Sequence, residues 1–274
     1  MSPPRVVAVY GGGGAKAAAH LGAERALRER GLAPAAYVGC SMGAVVAAGF
    51  ALGMDPEALE ARMVELGRRP VAVPDPLVLL LGVRRPALLK GAPLRAAFEA
   101  LIPVRRFADL KHPLTVTATD LDRGDQIILG AGGEDVPLID ALMASCALPV
   151  YFPPVRLGTR RAVDGGLRAV VPVEVALRHR PERVVAVDTG PGFDEGPAAP
   201  GHALPALVAY NQDALGVLMS QATQDRLALW RATAGRPALT YVRPRVERNA
   251  TFATEKIRTY AAEGYRATLE ALDR

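Results

Sequence analysis

A serine flanked by glycines stands where a strand-like run gives way to a helix-like one. Residues Gly39, Ser41 and Gly43 form the pattern GxSxG. At a sharp strand-to-helix turn the serine hydroxyl projects into a cleft, and the glycines let the neighbouring backbone pass without a Cβ clash. The helix that follows directs the positive end of its dipole toward the serine. The pattern predicts a nucleophile, although GxSxG also arises by chance and a serine before a helix can be only an N-cap.

Four consecutive glycines and a lysine mark an earlier strand-to-helix junction, at residues 11–16. Adjacent glycines allow successive backbone N–H groups to converge on an anion, as an oxyanion hole requires. A Walker A loop is excluded, because Ala15 and Ala17 stand where that motif needs Gly and Ser or Thr. Gly12, Gly14 and Ala17 satisfy a dinucleotide fingerprint, but the second strand ends without the acidic residue that such a site uses. Phosphate binding by this turn remains an alternative.

A serine nucleophile needs a partner that accepts its proton, and Asp164 is the leading candidate. It follows a short strand and precedes Gly165 and Gly166, a tight turn that can hold a carboxylate at the edge of a sheet. Taken alone, Asp-Gly-Gly is usually just a turn. Asp188 ends a later strand and is a weaker candidate, because no glycine turn follows to aim its carboxylate.

None of the four histidines is well placed to act as the base. His20 lies within the first predicted helix, where a packed histidine is expected, and His112 and His179 stand beside basic residues in surface-like settings. Only His202 follows Asp164 late enough to complete the Ser-Asp-His order of an α/β-hydrolase. It sits in a Gly- and Pro-rich loop, and the GxSxG turn comes earlier in the chain than in those enzymes. A Ser-Asp pair is the simpler interpretation, and a triad with His202 is the alternative.

The candidate residues fall on an alternation of strands and helices. Apolar runs predict strands at 5–10 and 35–39, and helical spacing predicts helices at 16–30 and from Ser41 to about Leu52. A βαβα beginning is typical of a parallel sheet covered by helices on both faces. Further strands are predicted at 114–119, 126–129, 161–163, 183–188 and 239–243, and further helices at 93–101, 138–146, from about 205 to 234 and from about 254.

A single domain over residues 1–274 is expected, because a chain of this length that is 50% hydrophobic can bury a full core. The proline-rich segment 70–113 is a candidate lid or cap, and a helical part follows from 205. Within the segment, the apolar strip at 77–81 lies close to Arg84 and Arg85. Such a strip can rest on a lipid interface, roof an acyl tunnel or be buried in the core.

The composition excludes several classes of site. The net charge of +5 favours anionic surfaces, but the arginine pairs are scattered without interleaved aromatic residues, so no nucleic-acid binding is expected. Cys40 and Cys146 provide neither a disulfide framework nor a metal-ligand spacing. The turn at 120–125 lacks the glutamate that a calcium loop needs twelve positions from its start, where Ala131 stands. No metal and no cofactor are therefore expected.

The N-terminus lacks the long apolar stretch and cleavage site of a signal peptide, and the longest apolar run is too short to span a bilayer. A cytoplasmic location is therefore expected.

Taken in order, these motifs resemble the patatin-like phospholipases, and within them the short bacterial members. The resemblance covers roughly residues 6–190. Its blocks are the glycine turn with Lys16, Ala-His-Leu-Gly at 19–22, GxSxG at 39–43, Thr-Ala-Thr-Asp-Leu-Asp at 117–122, Ala-Ser-Cys-Ala-Leu-Pro at 144–149, Phe-Pro-Pro at 152–154 and Asp-Gly-Gly at 164–166.

The resemblance implies a three-layer α/β/α sandwich with a mainly parallel central sheet. It also implies a serine acyl hydrolase, of the phospholipase A or lysophospholipase type, that uses a dyad of Ser41 and Asp164 and an acyl-enzyme intermediate. The glycine turn, formed by Gly12, Gly13 and Gly14, is implied as the oxyanion hole, with Lys16 as its cationic support. The substrate is expected to be a lipid or another acyl ester, reached through transient contact with a membrane surface.

Two features bear on how active such a dyad can be. A model aspartate has a pKa of about 3.9, far below that of a serine hydroxyl, so proton transfer needs strong stabilisation of the oxyanion. We therefore expect Asp164 to be partly buried, with a raised pKa. In addition, Ala17 stands where the family has glycine. A methyl group there can tighten the turn or tilt its N–H groups, which leaves reduced activity open.

Overall fold

The computed structural model describes residues 4–78, 82–192, 206–247 and 250–274. Its centre is a sheet whose parallel part has the order β3-β2-β1-β7-β8. The parallel strands are β1 (Val6–Tyr10), β2 (Ala36–Cys40), β3 (Leu114–Asp120), β7 (Arg183–Val187) and β8 (Ala238–Val242), and the antiparallel additions are β4 (Gln126–Gly130), β5 (Val155–Leu157) and β6 (Arg160–Asp164). The strands predicted from the sequence are confirmed; β5, with only three residues, is too short to give a periodic signal.

Two strands meet end to end along one edge of β3. Residues 115–117 pair with both β2 and β4, and residues 118–119 pair with both β4 and β6. Because a strand has only two edges, β2 and β6 lie on the same edge of β3, opposite β4. Cys40 pairs with Thr117, and Asp164 pairs with the residue that follows Thr117. The carboxyl ends of β2 and β6 therefore meet at adjacent positions of β3.

Helices cover both faces of the sheet, which confirms the three-layer α/β/α architecture. Along β1, the side chains of Val6, Ala8 and Tyr10 join one buried cluster, and those of Val7 and Val9 join another on the opposite face. The first cluster includes residues of most of the helices, while the second is closed by the segment Val173–His179 and by the last turns of the long helix α6. The helices are α1 (Ala19–Glu29), α2 (Met42–Ala51), α3 (Pro56–Gly67), α4 (Gly91–Leu101), α5 (Leu138–Ser145), α6 (Ala206–Ala232) and α7 (Ile257–Leu272).

The last helix of the chain packs directly on the first. A Cβ added to Gly22 of α1 would lie 1.8 Å from the carbonyl oxygen of Ala261, and one added to Gly264 of α7 would lie 1.9 Å from the carbonyl oxygen of Ala19. The two helix backbones are thus in contact where they cross. This contact ties the C-terminal helix to the N-terminal half of the sheet.

Several sequence-based expectations take a definite form in the structure. The first helix begins as a 3₁₀ turn over Gly14–Ala18 and continues as α1, so the predicted helix at 16–30 changes type near its start. The turn after β3 is a local one, in which the Asp120 carboxylate accepts the N–H groups of Asp122 and Arg123. Of the apolar strip at 77–81, residues 79–81 lie outside the described residues.

Arginines from all four arginine pairs, at 68/69, 84/85, 105/106 and 160/161, take part in ion pairs. Five of the basic side chains from the arginine pairs form ion pairs with carboxylates, namely Arg69–Glu65, Arg85–Asp75, Arg106–Asp109, Arg160–Glu134 and Arg161–Asp122. In the part of the chain that is described, no helix is both long and apolar enough to cross a bilayer.

Candidate active site

The fold brings Ser41 and Asp164 into direct contact. The hydroxyl of Ser41 donates to Oδ2 of Asp164 over 2.7 Å. The contact follows from the sheet, because Ser41 comes directly after β2, Asp164 ends β6, and these two ends meet on β3. The two residues are 123 positions apart in the chain, so the pairing is a product of the tertiary structure.

Ser41 occupies the strained turn that GxSxG predicts. Its φ of 53° and ψ of −135° lie outside the regions that residues other than glycine normally adopt. A Cβ on Gly39 would lie 2.3 Å from the Cα of Ala44, and a Cβ on Gly43 would lie 2.3 Å from the carbonyl oxygen of Tyr10. Gly39 therefore allows β2 to lie close to the start of α2, and Gly43 allows the start of α2 to lie against the end of β1.

Ser145 bonds to the backbone of the turn at Ser41, and it was not identified as a site residue from the sequence. Its hydroxyl oxygen accepts the N–H of Ser41 over 2.7 Å and donates to the carbonyl oxygen of Thr117, also over 2.7 Å. Ser145 is fully buried at the end of α5. Ser145 is the serine of the Ala-Ser-Cys-Ala-Leu-Pro block at 144–149. Nothing in the sequence of that block indicates that this side chain contacts Ser41.

Asp164 is buried and its carboxylate is fully oriented. It is 3% exposed, and its Oδ1 accepts the N–H of Gly166 over 2.8 Å. Burial raises the pKa of Asp164 to about 6, although the hydrogen bonds from Gly166 and Ser41 act in the opposite direction. The raised pKa matches the expectation from the sequence. Above this pH the carboxylate is ionised.

The three glycines of the turn are not equivalent. The N–H of Gly12 donates to the carbonyl oxygen of Val170 over 3.2 Å. By contrast, within the described residues no protein acceptor is found for the N–H groups of Gly13 and Gly14. Gly14 has a φ of 61°, and a Cβ there would lie 2.5 Å from the carbonyl oxygen of Thr251. Both unpaired N–H groups belong to residues that line the same cavity as Ser41.

The side chains that follow the turn support it from the core. The Nζ of Lys16, which is only 5% exposed, donates to the carbonyl oxygen of Gly190 over 3.3 Å. His20 is fully buried, stacks on Tyr10 and bonds through Nε2 to the carbonyl oxygen of Gly11. Burial lowers the pKa of His20 to about 4, so it is neutral at physiological pH. It is the packed histidine that the sequence predicted.

Ala17 takes up no special conformation. It is fully buried within the 3₁₀ turn, and it is not among the described residues that have a positive φ. Its methyl group therefore fits without backbone strain, because only a positive φ favours glycine over alanine.

An apolar cavity of about 230 Å³ opens beside Ser41. Its polar end contains Ser41, Asp164 and the glycine turn. Its walls are mostly aliphatic and aromatic side chains, among them Val45, Met63, Leu94, Phe98, Leu101, Leu148 and Phe152. Leu94, Phe98 and Leu101 belong to α4, so part of the wall comes from the segment 70–113.

Of the other candidates, His179 and Asp188 lie in the described part of the chain and have partners there. His179 is buried and bonds to the hydroxyl of Thr115, so the expectation of a surface-like setting was wrong: the segment Val173–His179 turns it inward while its basic neighbours face outward. His202 lies outside the described residues. Asp188 does receive an N–H two residues on, from Gly190, contrary to the expectation that no glycine aims it. It is, however, paired with Arg243 over 2.9 Å and with the hydroxyl of Tyr241.

The two cysteines are buried near the serine. Burial raises the pKa of Cys40 and of Cys146 well above the usual thiol value. Both are free thiols. Because the thiolate is the reactive form, burial leaves both thiols unreactive.

Comparison with known sequences shows that the part of the chain that contains Ser41 and Asp164 matches one protein family. A family model described as patatin-like phospholipase matches residues 8–177. YqhO, an uncharacterised protein of Bacillus subtilis, is 30% identical over 211 residues, which are 69% of this chain and 72% of YqhO. An uncharacterised NTE family protein of Mycobacterium tuberculosis is 32% identical over 197 residues, which are 72% of this chain but 52% of that protein. The chain thus spans about half the length of the mycobacterial relative.

Among solved structures, VipD from Legionella pneumophila is similar with a TM-score of 0.52, over 99% of this chain and 67% of VipD. The sequence identity is 17%, so this likeness concerns the fold alone.

Proposed function

Because this chain belongs to the patatin-like phospholipase family, we propose that it is a serine acyl hydrolase that cleaves lipid esters through Ser41 and Asp164. The family and its fold support lipid hydrolysis. The observation that carries the finer assignment is the 2.7 Å hydrogen bond from the Ser41 hydroxyl to Asp164 at the polar end of an apolar cavity. This arrangement supports Ser41 as nucleophile and Asp164 as base, with space for an acyl chain beside them.

In the proposed first step, Oγ of Ser41 attacks the ester carbonyl carbon while Asp164 takes the hydroxyl proton. The tetrahedral intermediate collapses, the alcohol leaves with the proton from Asp164, and the acyl group stays on Ser41. Water then attacks the acyl-enzyme with Asp164 as base, which releases the carboxylic acid and restores the Ser41 hydroxyl. The raised pKa of Asp164 makes it a better proton acceptor than an exposed aspartate.

The oxyanion hole is proposed to consist of the N–H groups of Gly13 and Gly14. Both lie beside Ser41 in the cavity and have no acceptor within the described residues. Gly12 belongs to the turn but donates its own N–H to Val170. Lys16 adds positive charge behind the turn. A donor of this kind is typically worth about 2.7–4 kcal/mol to the transition state.

Two alternatives remain testable. A triad needs a histidine between serine and aspartate, and the direct contact between Ser41 and Asp164 favours the dyad over a role for His202. A nucleotide-binding module needs the N–H groups of the turn to face a phosphate. The N–H of Ala15 donates instead to the carbonyl oxygen of Thr251, and that of Gly12 to Val170, which favours the hydrolase.

Contact with a lipid surface is proposed for the outer side of the cavity. Leu215 and Met219 of α6 line the cavity, while Tyr210 and Leu218 of the same helix are 77% and 67% exposed. Phe252 both lines the cavity and is 39% exposed. Apolar side chains around the mouth would enter the interface as a lipid leaves it.

Co-sedimentation with phosphatidylcholine vesicles tests this contact. We expect Leu218→Asp to bind vesicles less than the wild type, and Leu229→Asp to match the wild type. Leu229 is a matched control because it is 66% exposed at the other end of α6 and does not line the cavity. Equal binding by the two variants would count against the surface.

The hydrolase itself is tested by fluorophosphonate labelling and by hydrolysis of p-nitrophenyl butyrate. Wild-type protein should be labelled and active, whereas Ser41→Ala and Asp164→Ala should lose both properties. Ser220→Ala and Asp225→Asn, both on α6 and outside the cavity, serve as controls that keep them. Labelling that persists in Ser41→Ala would refute the nucleophile. Absence of labelling together with nucleotide retention in equilibrium dialysis would favour the binding module.

A further inference from the structure

A buried threonine that takes no part in the proposed chemistry bonds to the backbone of the glycine turn. Thr189 follows the end of β7 and is fully buried. Its hydroxyl donates to the carbonyl oxygen of Gly12 over 3.2 Å. The approach is close, because a Cβ on Gly13 would lie 2.5 Å from the hydroxyl oxygen of Thr189 and 2.3 Å from its carbonyl oxygen. Glycine at position 13 is therefore what allows Thr189 to reach the turn.

The geometry of the peptide bond links this contact to the Gly13 N–H. Across a trans peptide, the carbonyl oxygen of Gly12 and the N–H of Gly13 point in opposite directions. The oxygen points to Thr189. The N–H therefore points to the side that carries the Cα of Gly12, and a Cβ on that atom would lie 3.1 Å from Cβ of Ser41. Fixing the carbonyl on Thr189 thus fixes the Gly13 N–H on the Gly12 Cα side of the peptide bond, and Gly13 lines the same cavity as Ser41.

The neighbouring peptide bond is fixed independently, so the freedom that remains lies in the Gly12–Gly13 unit. The carbonyl oxygen of Gly11 is bound by His20, and the N–H of Gly12 is bound by Val170. Thr189 is itself held between Asp188 and Gly190, where the N–H of Gly190 donates to the Asp188 carboxylate. A rigid turn at the end of β7 therefore supports a turn that would otherwise rotate, since glycine has few conformational restraints.

We propose that Thr189 is a positioning residue that orients the Gly13 N–H toward the oxyanion formed on the acyl group at Ser41. The inference rests on the proposed hydrolase function and assigns to it a residue outside the serine, the aspartate and the glycines. Without the hydroxyl, the Gly12–Gly13 peptide loses the bond that sets its orientation. The loss is felt in the transition state, where charge develops on the oxygen, and little in substrate binding.

The test compares Thr189→Val, which removes the hydroxyl at nearly constant volume, with Thr189→Ser, which keeps it. For hydrolysis of p-nitrophenyl butyrate we expect Thr189→Val to lower kcat by about 10- to 100-fold, somewhat less than the ~10²–10³ lost when a donor is removed outright. KM should change by less than about twofold, because ground-state binding is untouched. Thr189→Ser should stay within about threefold of the wild-type kcat, since it retains the donor.

A second readout separates positioning from a general loss of structure. A straight-chain alkyl trifluoromethyl ketone mimics the transition state. Oγ of Ser41 attacks its carbonyl carbon, the Ser41 hydroxyl proton passes to Asp164, and the former carbonyl oxygen becomes an oxyanion in the proposed oxyanion hole. Thr189→Val should weaken inhibition by this ketone in proportion to its loss of kcat, while inhibition by the corresponding fatty alcohol stays unchanged. Thr189→Ala replaces Thr189→Val if the valine variant does not fold, as judged by circular dichroism.

The outcomes are distinct. If the valine and serine variants both keep the wild-type kcat and the wild-type inhibition by the ketone, the role of Thr189 is overturned. The proposed function would stand in that case, because the wild type still hydrolyses the ester. An equal loss in both variants would overturn it as well, because the hydroxyl would not be the cause. Absence of any hydrolysis by the wild type would overturn the proposed function and, with it, this inference.

Discussion

Ser41 carries backbone strain at the point where the chemistry is proposed to occur. Non-glycine residues in such regions of φ and ψ typically cost on the order of 1–3 kcal/mol each. Two observations explain how the strain is held: the N–H of Ser41 is bound by the buried hydroxyl of Ser145, and Gly43 allows α2 to start against Tyr10. The proposed nucleophile is therefore held in place by Ser145 and Gly43, which take no part in the proposed chemistry.

Ser145→Ala should lower both stability and catalysis. The change leaves the N–H of Ser41 and the carbonyl oxygen of Thr117 without their shared partner, at a cost of about 1–3 kcal/mol. We expect kcat to fall with little change in KM, because the serine is displaced and the cavity is intact. Urea unfolding and steady-state kinetics measure the two effects, with Ser220→Ala as the control. Unchanged kcat in a less stable protein would mean that Ser145 is only a structural residue.

Asp164→Asn should make the protein more stable while it abolishes activity. The pKa of Asp164 is raised to about 6 in the folded state, above its ordinary value of 3.8, so the folded protein binds this proton more tightly than the unfolded chain. The contribution of Asp164 to stability is therefore greatest below pH 4, falls as the pH rises to about 6 and stays low above it. The cost at pH 8 is on the order of 3 kcal/mol.

Thermal unfolding of wild type and Asp164→Asn at pH 8 and at pH 4 measures this cost. The variant should have the higher Tm at pH 8, and the advantage should shrink at pH 4, where the wild-type carboxyl is protonated. A variant that is less stable at pH 8 would contradict a buried and costly carboxylate.

The same group should set the acid side of the activity profile. The base must be ionised to take the proton of Ser41, so kcat/KM should rise with pH through about 6 and then level off. Stopped assays with a short-chain ester from pH 4 to pH 9 measure the profile. His20, with a pKa of about 4 and a place in the core, should leave no second step above pH 5. A step near the ordinary pKa of an exposed aspartate would mean that Asp164 is not the base.

At the scale of elements, the site is made by strand ends. β2 and β6 come from distant parts of the chain and meet on one edge of β3, so the residues at their carboxyl ends are forced together. The end of β7 adds Thr189 beside the glycine turn, which itself follows β1. Ligand sites of open α/β sheets also lie outside the carboxyl ends of the strands.

The crossing of α1 and α7 is one of the contacts by which the C-terminal helix packs on the core. Gly264→Ala places a methyl group 1.9 Å from the carbonyl oxygen of Ala19, so the helices must separate. We expect the free energy of unfolding to fall by about 1–3 kcal/mol, as for other overpacked sites. Urea denaturation measures it. Gly91→Ala is the matched control, because the nearest atom to its new Cβ is the Met143 methyl at 3.7 Å, and an equal loss there would remove the explanation.

At the scale of the molecule, the cavity sets what the site can hold. An engineered cavity of about 150 Å³ holds benzene, so for the proposed lipid substrate we expect a cavity of about 230 Å³ to take an acyl chain of roughly eight to ten carbons. The wall that α4 contributes belongs to the segment 70–113, for which we retain the proposal of a cap within one domain. Longer chains would extend beyond the cavity.

A series of p-nitrophenyl esters should therefore show kcat/KM rising with chain length to about eight to ten carbons and then levelling off. Each CH₂ buried is worth up to about 0.8 kcal/mol. Phe98→Ala removes a ring from the wall and should move the plateau to longer chains. Phe107→Ala, outside the cavity, controls for general loosening. A plateau that does not move would place the acyl chain elsewhere.

The amino-acid sequence by itself determined the features that are local. A strand, a turn and a helix around Ser41 follow from apolar periodicity and from glycine at positions 39 and 43, and the glycine turn after β1 follows in the same way. The strand and helix positions were predicted for the same reason. The prediction of a surface-like setting for His179 was wrong, because it relied on the basic residues beside it, which are exposed. No local sequence pattern indicates that the segment Val173–His179 turns the His179 ring inward to Thr115.

Only the tertiary structure decided which residues meet. Ser41 and Asp164 are 123 residues apart, Ser41 and Ser145 are 104 apart, and Gly12 and Thr189 are 177 apart. The raised pKa of Asp164 is likewise a property of burial, which a sequence position does not carry. Hydrogen bonds and desolvation depend on distances of a few ångströms between strand ends, and sheet pairing over long separations is what sets those distances.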